Sequence, residues 1–166
     1  MKKISLLFVF SLVACAVSIA QAPPGKGGKQ FNAGLGFSGW GVPVYAGVDF
    51  GVHQDITIGP RVSYRNYKYR ALGADWNQSL FVIGFNGNYH FNRLLDMPSE
   101  WNLYAGLTIG YLIWSDNEYT GARASGLGLD GQIGGRYFFS NKFGVNLEFG
   151  GGSGTGGGSF GITVKL

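Results

Sequence analysis

Residues 79–114 read SLFVIGFNGNYHFNRLLDMPSEWNLYAGLTIGYLIW, two alternating runs joined by a polar connection. In the first run Phe81, Ile83, Phe85, Tyr89 and Phe91 share one parity, with Gly87 as the small exception, while Asn86, Asn88 and His90 hold the other. In the second, Leu103, Ala105, Leu107, Ile109, Tyr111 and Ile113 alternate with Asn102, Tyr104, Gly106, Thr108, Gly110, Leu112 and Trp114. Side chains two apart on a strand lie on one face, so each run makes a strand with a continuously apolar face and a mixed, small or polar one. Pro98, in the connection, prevents a single strand from running through.

The same pattern recurs on both sides. Strands are expected over 31–38, 42–52, 56–67, 126–138, 143–149 and 160–166, which makes eight, and no segment carries a helical stripe. Pro60 marks a bulge or imperfect pairing in the third strand. The connections after strands two, four and six are mostly short, whereas 68–77 and 115–125 read as long polar loops and 150–158 as a glycine-rich loop. Because successive antiparallel strands reverse direction, the short turns share one end with both termini. An even strand count with short turns at one end and longer loops at the other describes an outer-membrane barrel.

Charge decides which face meets what. Asp49, Arg61, Arg65, Asp130, Arg136, Glu148 and Lys165 all fall on the parity opposite the apolar set. A soluble barrel of the lipocalin type is the alternative, with the apolar parity lining an internal cavity and the charges in water. Two features favour lipid outside. The polar parity is rich in glycine and asparagine, which suits a narrow interior. Tyr64, Tyr89, Phe91, Tyr111, Tyr137 and Phe143 lie near strand ends on the apolar parity, where aromatic girdles belong. The expectation is an all-β, eight-stranded antiparallel up-and-down transmembrane β-barrel over residues 30–166. Its seven inward charges would pair with one another, with polar side chains and with trapped water, which avoids the cost of lone buried charge. Side chains fill a barrel of this size, so no wide pore is expected.

Charged residues are only 13% of the 166, while 30 are glycine and 16% are aromatic. The glycines have no period of three, which excludes collagen, and the aromatic content argues against disorder. Lys2 and Lys3 precede an apolar run over 4–19 and small residues suited to cleavage after 20 or 22, the form of a secretory signal over 1–20. Residues 21–29, QAPPGKGGK, then make a flexible mature N-terminus. The single cysteine, Cys15, lies within the signal, so the mature chain has none to form a disulfide. Leu12-Val13-Ala14-Cys15 also resembles a lipoprotein signal, although 16–20 stays largely apolar where such signals turn polar. The formal charge of +4 includes the two signal lysines, and +2 remains without them. No Lys/Arg cluster marks a nucleic-acid surface.

The chain resembles the small eight-stranded outer-membrane β-barrel proteins of Gram-negative bacteria, in the broad class of the OmpA membrane domain and OmpX. HFNRLLDMPSEWNLYAGLTIGY, residues 90–111, is similar to the short barrels of Bacteroidetes. The resemblance covers 30–166 and rests on pattern. It implies an outer-membrane location, contact with lipid and lipopolysaccharide, and insertion by the barrel-assembly machinery, which reads the last strand. Here that strand is FGITVKL, without the commoner terminal aromatic.

Catalysis finds little support. A Ser-His-Asp/Glu site needs a base near its nucleophile. The two histidines, His53 beside Asp55 and His90, are both expected near the periplasmic end, with Ser79 at the far end of the strand from His90. An acidic site from Asp75, Asp116 and Glu118 is weaker still. No cofactor and no metal site is expected, because two separated histidines without a mature cysteine lack ligand spacing. GSGTGGG, 152–158, lacks the Lys-Ser/Thr and helix of a phosphate loop. Trp40, Tyr67, Tyr69, Arg70, Trp76, Tyr119 and Arg123 remain as candidates for binding a surface protein or glycan, since aromatics and arginine favour such contacts. The leading reading is a structural or surface-interaction barrel for envelope stability or adhesion. The alternatives are an outer-membrane lipid-modifying enzyme and a soluble lipocalin-like carrier.

Overall fold

The computed structural model describes residues 23–39, 41–71, 74–115, 125–153 and 156–166, with the backbone alone at 67–71 and 74–76. Alternation at period two becomes eight strands: β1 (Lys29–Phe37), β2 (Val44–His53), β3 (Ile56–Ala71), β4 (Ala74–His90), β5 (Trp101–Trp114), β6 (Gly126–Phe138), β7 (Phe143–Gly152) and β8 (Gly156–Lys165). Each pairs antiparallel with its sequence neighbours, and β1 pairs with β8 from Gln30↔Lys165 to Phe37↔Gly158, which closes the barrel. Closure leaves no sheet edge in the wall, which is the condition for strands to cross hydrocarbon. Among the described residues no helix is long and apolar enough to cross a membrane.

The two parities separate as outside and inside. Leu35, Phe85, Leu107, Ile109, Ile133 and Ile162 stand exposed on the outer face, while Gln30, Asn32, Asp49, Arg65, Asn88, Asp130 and Arg136 are buried inside. No soluble core has this inside-out arrangement; it is a transmembrane β-barrel with its apolar face to lipid. Ile109 lies midway along β5, between Phe85 and Leu129 on the neighbouring strands. Ile109→Arg is therefore expected to cost about 2–4 kcal/mol of folding free energy, read by urea titration of vesicle-folded protein. A cost near zero would remove the lipid from that face.

Two expected loops are corrected. Residues 68–77 are not a long polar loop: β3 runs to Ala71 and β4 starts at Ala74, in register to Ala71↔Ala74. The sequence does alternate there, Tyr67, Tyr69 and Ala71 against Asn66, Lys68 and Arg70, but charged and amide residues on one parity and Gly73 between the halves make it read as a loop. The glycine-rich loop at 150–158 also shrinks, because Gly150↔Gly157 and Gly151↔Gly156 pair as strand. Glycine is required there for two reasons. Gly157 has φ +132, and the Phe37 ring occupies the space a Cβ at Gly158 would take.

The interior is not polar over its full height. On the inward parity of β4 and β5, Leu80, Val82, Leu112 and Trp114 form a buried apolar cluster toward the loop end. At the other end Phe138 is buried beneath the Lys165 ammonium, which sits 4.1 Å from the ring centroid. There too, Gly27 N–H donates to Gly51 O (2.7 Å) and Gly51 N–H to Gly28 O (2.9 Å), tying 25–28 to β2.

Candidate functional site

Two features compete as a site, the luminal charge network and the ribbon above it. The network centres on Asp49, held on β2 with its carboxylate in the lumen. Gln30 Nε2 (2.8 Å), Asn32 Nδ2 (3.0 Å) and Arg136 Nη2 (2.9 Å) donate to Oδ2, and Asn86 Nδ2 (2.9 Å) to Oδ1. The Arg136 and Asp49 side chains are only 3% and 2% exposed. Four donors and an opposite charge offset the desolvation of the carboxylate. One layer toward the loops, Arg61 Nη1 donates to Glu148 Oε1 at 2.6 Å, and Tyr104 OH to Oε2 at 2.9 Å. Tyr104 also joins the layers, because the Arg136 guanidinium lies 4.1 Å from its ring centroid. The Arg61 guanidinium covers Tyr45 at 4.6 Å, and Tyr45 OH donates to Asn146 at 2.5 Å.

Of the seven expected luminal charges, the structure thus joins Asp49 with Arg136 and Arg61 with Glu148. Arg65 and Asp130 line a cavity of about 70 Å³ with Arg61, Gln132, Glu148 and Ser159. Lys165 packs on Phe138. A second space, about 20 Å³, lies between the two ion pairs. A water needs roughly 10–15 Å³ by this measure, so these spaces suit small clusters of water. Sequence reasoning missed Tyr45, Tyr104, Gln30, Asn32 and Asn86. Their inward parity was visible, but which of them meet across the lumen is set by strand stagger.

The histidines have structural surroundings. His90, fully buried, lies between Thr57 Oγ1 (3.0 Å from Nε2) and the Asn102 amide. His53 is 3.7 Å from Asp55, and Asp55 takes its shorter contact from Arg93 at 2.5 Å. Ser79 lies beside Tyr64 and Asn66, eleven residues along β4 from His90. No group of three His, Cys, Asp or Glu suited to a metal occurs among the described residues.

The ribbon is the second feature. Pairing of β2 with β3 ends at Val44↔Tyr64, and that of β4 with β5 ends at Leu80↔Trp114. Beyond these points residues 66–71 form a ladder with 74–79, and Ser79 also meets Ser115. The six residues from Ala74 to Ser79 carry the ribbon about 20 Å further along the strand. The register sets Tyr67 opposite Gln78, Tyr69 opposite Trp76 and Arg70 opposite Asp75. The side chains of Tyr67, Tyr69, Arg70 and Trp76 lie outside the description, as do Trp40, Tyr119 and Arg123 altogether, and Asp116 and Glu118 with them.

No protein-family model matches the sequence, and no curated protein matches it. Solved structures do match in fold. The N-terminal β-barrel domain of OprF from Pseudomonas aeruginosa is 12% identical, with 86% of this chain and 99% of that one covered and a TM-score of 0.60. OprG, an outer membrane protein of the same organism, is 11% identical over 90% of this chain and 99% of its own, at a TM-score of 0.56. Ail, the attachment invasion locus protein of Yersinia pestis, is 12% identical over 85% and 99%, at 0.53. Identities of this size speak for the fold alone, which is that of small, multi-spanning outer-membrane β-barrels.

Proposed function

We propose that this protein is a small outer-membrane barrel that acts as a surface-interaction module, with no turnover and no wide pore, and that the β3–β4 ribbon is its contact element. The observation that carries the reading is the ribbon itself, in which β3 and β4 go on pairing past the last residues that ladder with β2 and β5. Unpaired N–H and C=O groups along an edge accept a partner's extended chain, and aromatic or arginine side chains add the specific contacts. Tyr67, Tyr69, Arg70 and Trp76 belong to this ribbon by sequence, and Trp40, Tyr119 and Arg123 to the connections at the same end. The luminal ion pairs supply rigidity on this reading. The fold likeness to an attachment protein supports adhesion, to a surface protein or a glycan, over a purely structural role. Lipopolysaccharide around the barrel, insertion by the barrel-assembly machinery, and kinship with the OmpA/OmpX class or the Bacteroidetes barrels belong to the same reading.

The test replaces 67–78 with an Asn-Gly turn, which joins the register pair Asn66↔Ser79 as a two-residue hairpin. Vesicle-reconstituted parent and variant are compared against a panel of surface proteins and glycans. The variant is expected to keep its heat-modifiable band and lose affinity by about tenfold or more. Unchanged binding, or a parent that binds nothing on the panel, would sink the proposal.

A further inference from the structure

We propose that the turn joining β4 to β5 is a membrane anchor, whose two leucines insert at the headgroup boundary of the phospholipid leaflet around the termini-bearing end. The turn is a single helical loop: Leu95 N–H donates to Phe91 O and Met97 N–H to Asn92 O, both at 2.9 Å, and Asp96 ends it at φ 47°. Two of its polar residues, Asn92 and Arg93, bond back to the barrel. Asn92 bonds the Trp101 carbonyl and accepts from Asn102 Nδ2 at 2.7 Å. Arg93 reaches across to Asp55 (2.5 Å) and Gln54 (3.1 Å) on the β2–β3 turn. The turn leaves Leu94 and Leu95 outward, 69% and 57% exposed, with Arg93 and Asp96 exposed on either side of them.

These leucines continue a surface whose solvent is already known. The β6–β7 turn alongside exposes Phe139, and Phe138 N–H donates to Glu100 O at 2.8 Å, which fastens the two turns together. Directly along the strands lie the ring pairs Trp101–Tyr137, 4.8 Å between centroids, and Tyr89–Phe91, 5.2 Å. Aromatic pairs mark the lipid boundary, so the leucines sit at or just beyond it. Apolar side chains on a short amphipathic turn at that depth bury into the headgroup and acyl boundary, and nothing described on the barrel covers them instead. Lipid is the occupant that the continuity favours over a second copy of the chain.

Leu94→Cys and Leu95→Cys, each in a Cys15→Ser background, are labelled with an environment-sensitive fluorophore. They are reconstituted in phosphatidylcholine vesicles carrying headgroup-nitroxide lipid. Lys26→Cys, exposed at the same end, is the reference. Quenching at both leucine positions should exceed that at position 26 by about twofold or more and should not change with the protein-to-lipid ratio. Quenching equal to the reference overturns the anchor. So does quenching that changes as protein is diluted in lipid, which would assign the leucines to contact between copies. Heat-modifiability confirms folding, and if one variant fails to fold the other carries the test.

Discussion

Arg136→Met is expected to cost about 3–5 kcal/mol of folding free energy, the penalty for leaving one member of a buried ion pair behind. The guanidinium contributes one of four donors to Asp49 and a second bond, at 3.1 Å, to Asn102 Oδ1. Methionine of similar length fills the space but leaves Asp49 with three amide donors and no cation. Urea titration of vesicle-folded protein reads the loss. Adding Asp49→Asn should recover part of it, because the stranded charge is then gone and the two substitutions couple through one contact. A single-mutant cost below about 1 kcal/mol would mean that the lumen around Asp49 is solvated like a surface.

Gly134→Val should be nearly as damaging, for a steric reason. Gly134 faces Tyr104 across the β5–β6 ladder, and a Cβ there would lie 2.4 Å from the tyrosine Cζ and hydroxyl oxygen. The ring lies over the bare glycine as a side chain of its own would, a device that lets a large aromatic fit a narrow barrel. Valine forces Tyr104 off, and with it go the hydrogen bond to Glu148 and the face beneath Arg136. Overpacking costs about 1–3 kcal/mol and a lost bond to a charged group about 1.5–3, so a loss of about 3–5 kcal/mol is expected. Gly134→Val combined with Tyr104→Leu should recover part of it, because the smaller side chain can give way. No recovery would place the strain in the backbone rather than in the ring.

The fold was legible because lipid imposes its demand on every second residue of every wall strand. Phe81 to Phe91 and Leu103 to Ile113 carry that demand without a charged exception. Where lipid ends, so does the signal. Residues 68–71 and 74–77 pair as strands although their charged and amide residues read as a loop, and 150–151 pair with 156–157 although glycine has no side chain to alternate. The inward face was legible as a set and not as contacts. Arg61 and Glu148 are 87 residues apart, as are Asp49 and Arg136. Which cation meets which carboxylate depends on the stagger with which the sheet closes. That quantity is a property of all eight strands together and is written in none of them. Leu80, Val82, Leu112 and Trp114 show the same limit, since apolar residues on the inward parity look like breaks in a pattern until the barrel gathers them.

The seam between β1 and β8 has a consequence in time. Thr163 Oγ1 donates to Asn32 Oδ1 across 131 residues of chain, and the backbone ladder beside it unites the first strand with the last. While the chain is being synthesised, β1 has no partner on that side until β8 exists. An intermediate stopped at β7 therefore carries two raw edges that water can satisfy and hydrocarbon cannot. Assembly is thus all or none with respect to the ribosome: the polypeptide must be finished and kept unfolded in transit before any of it can rest in the bilayer. A premature stop anywhere in the gene is then expected to yield no smaller barrel, only material for proteolysis.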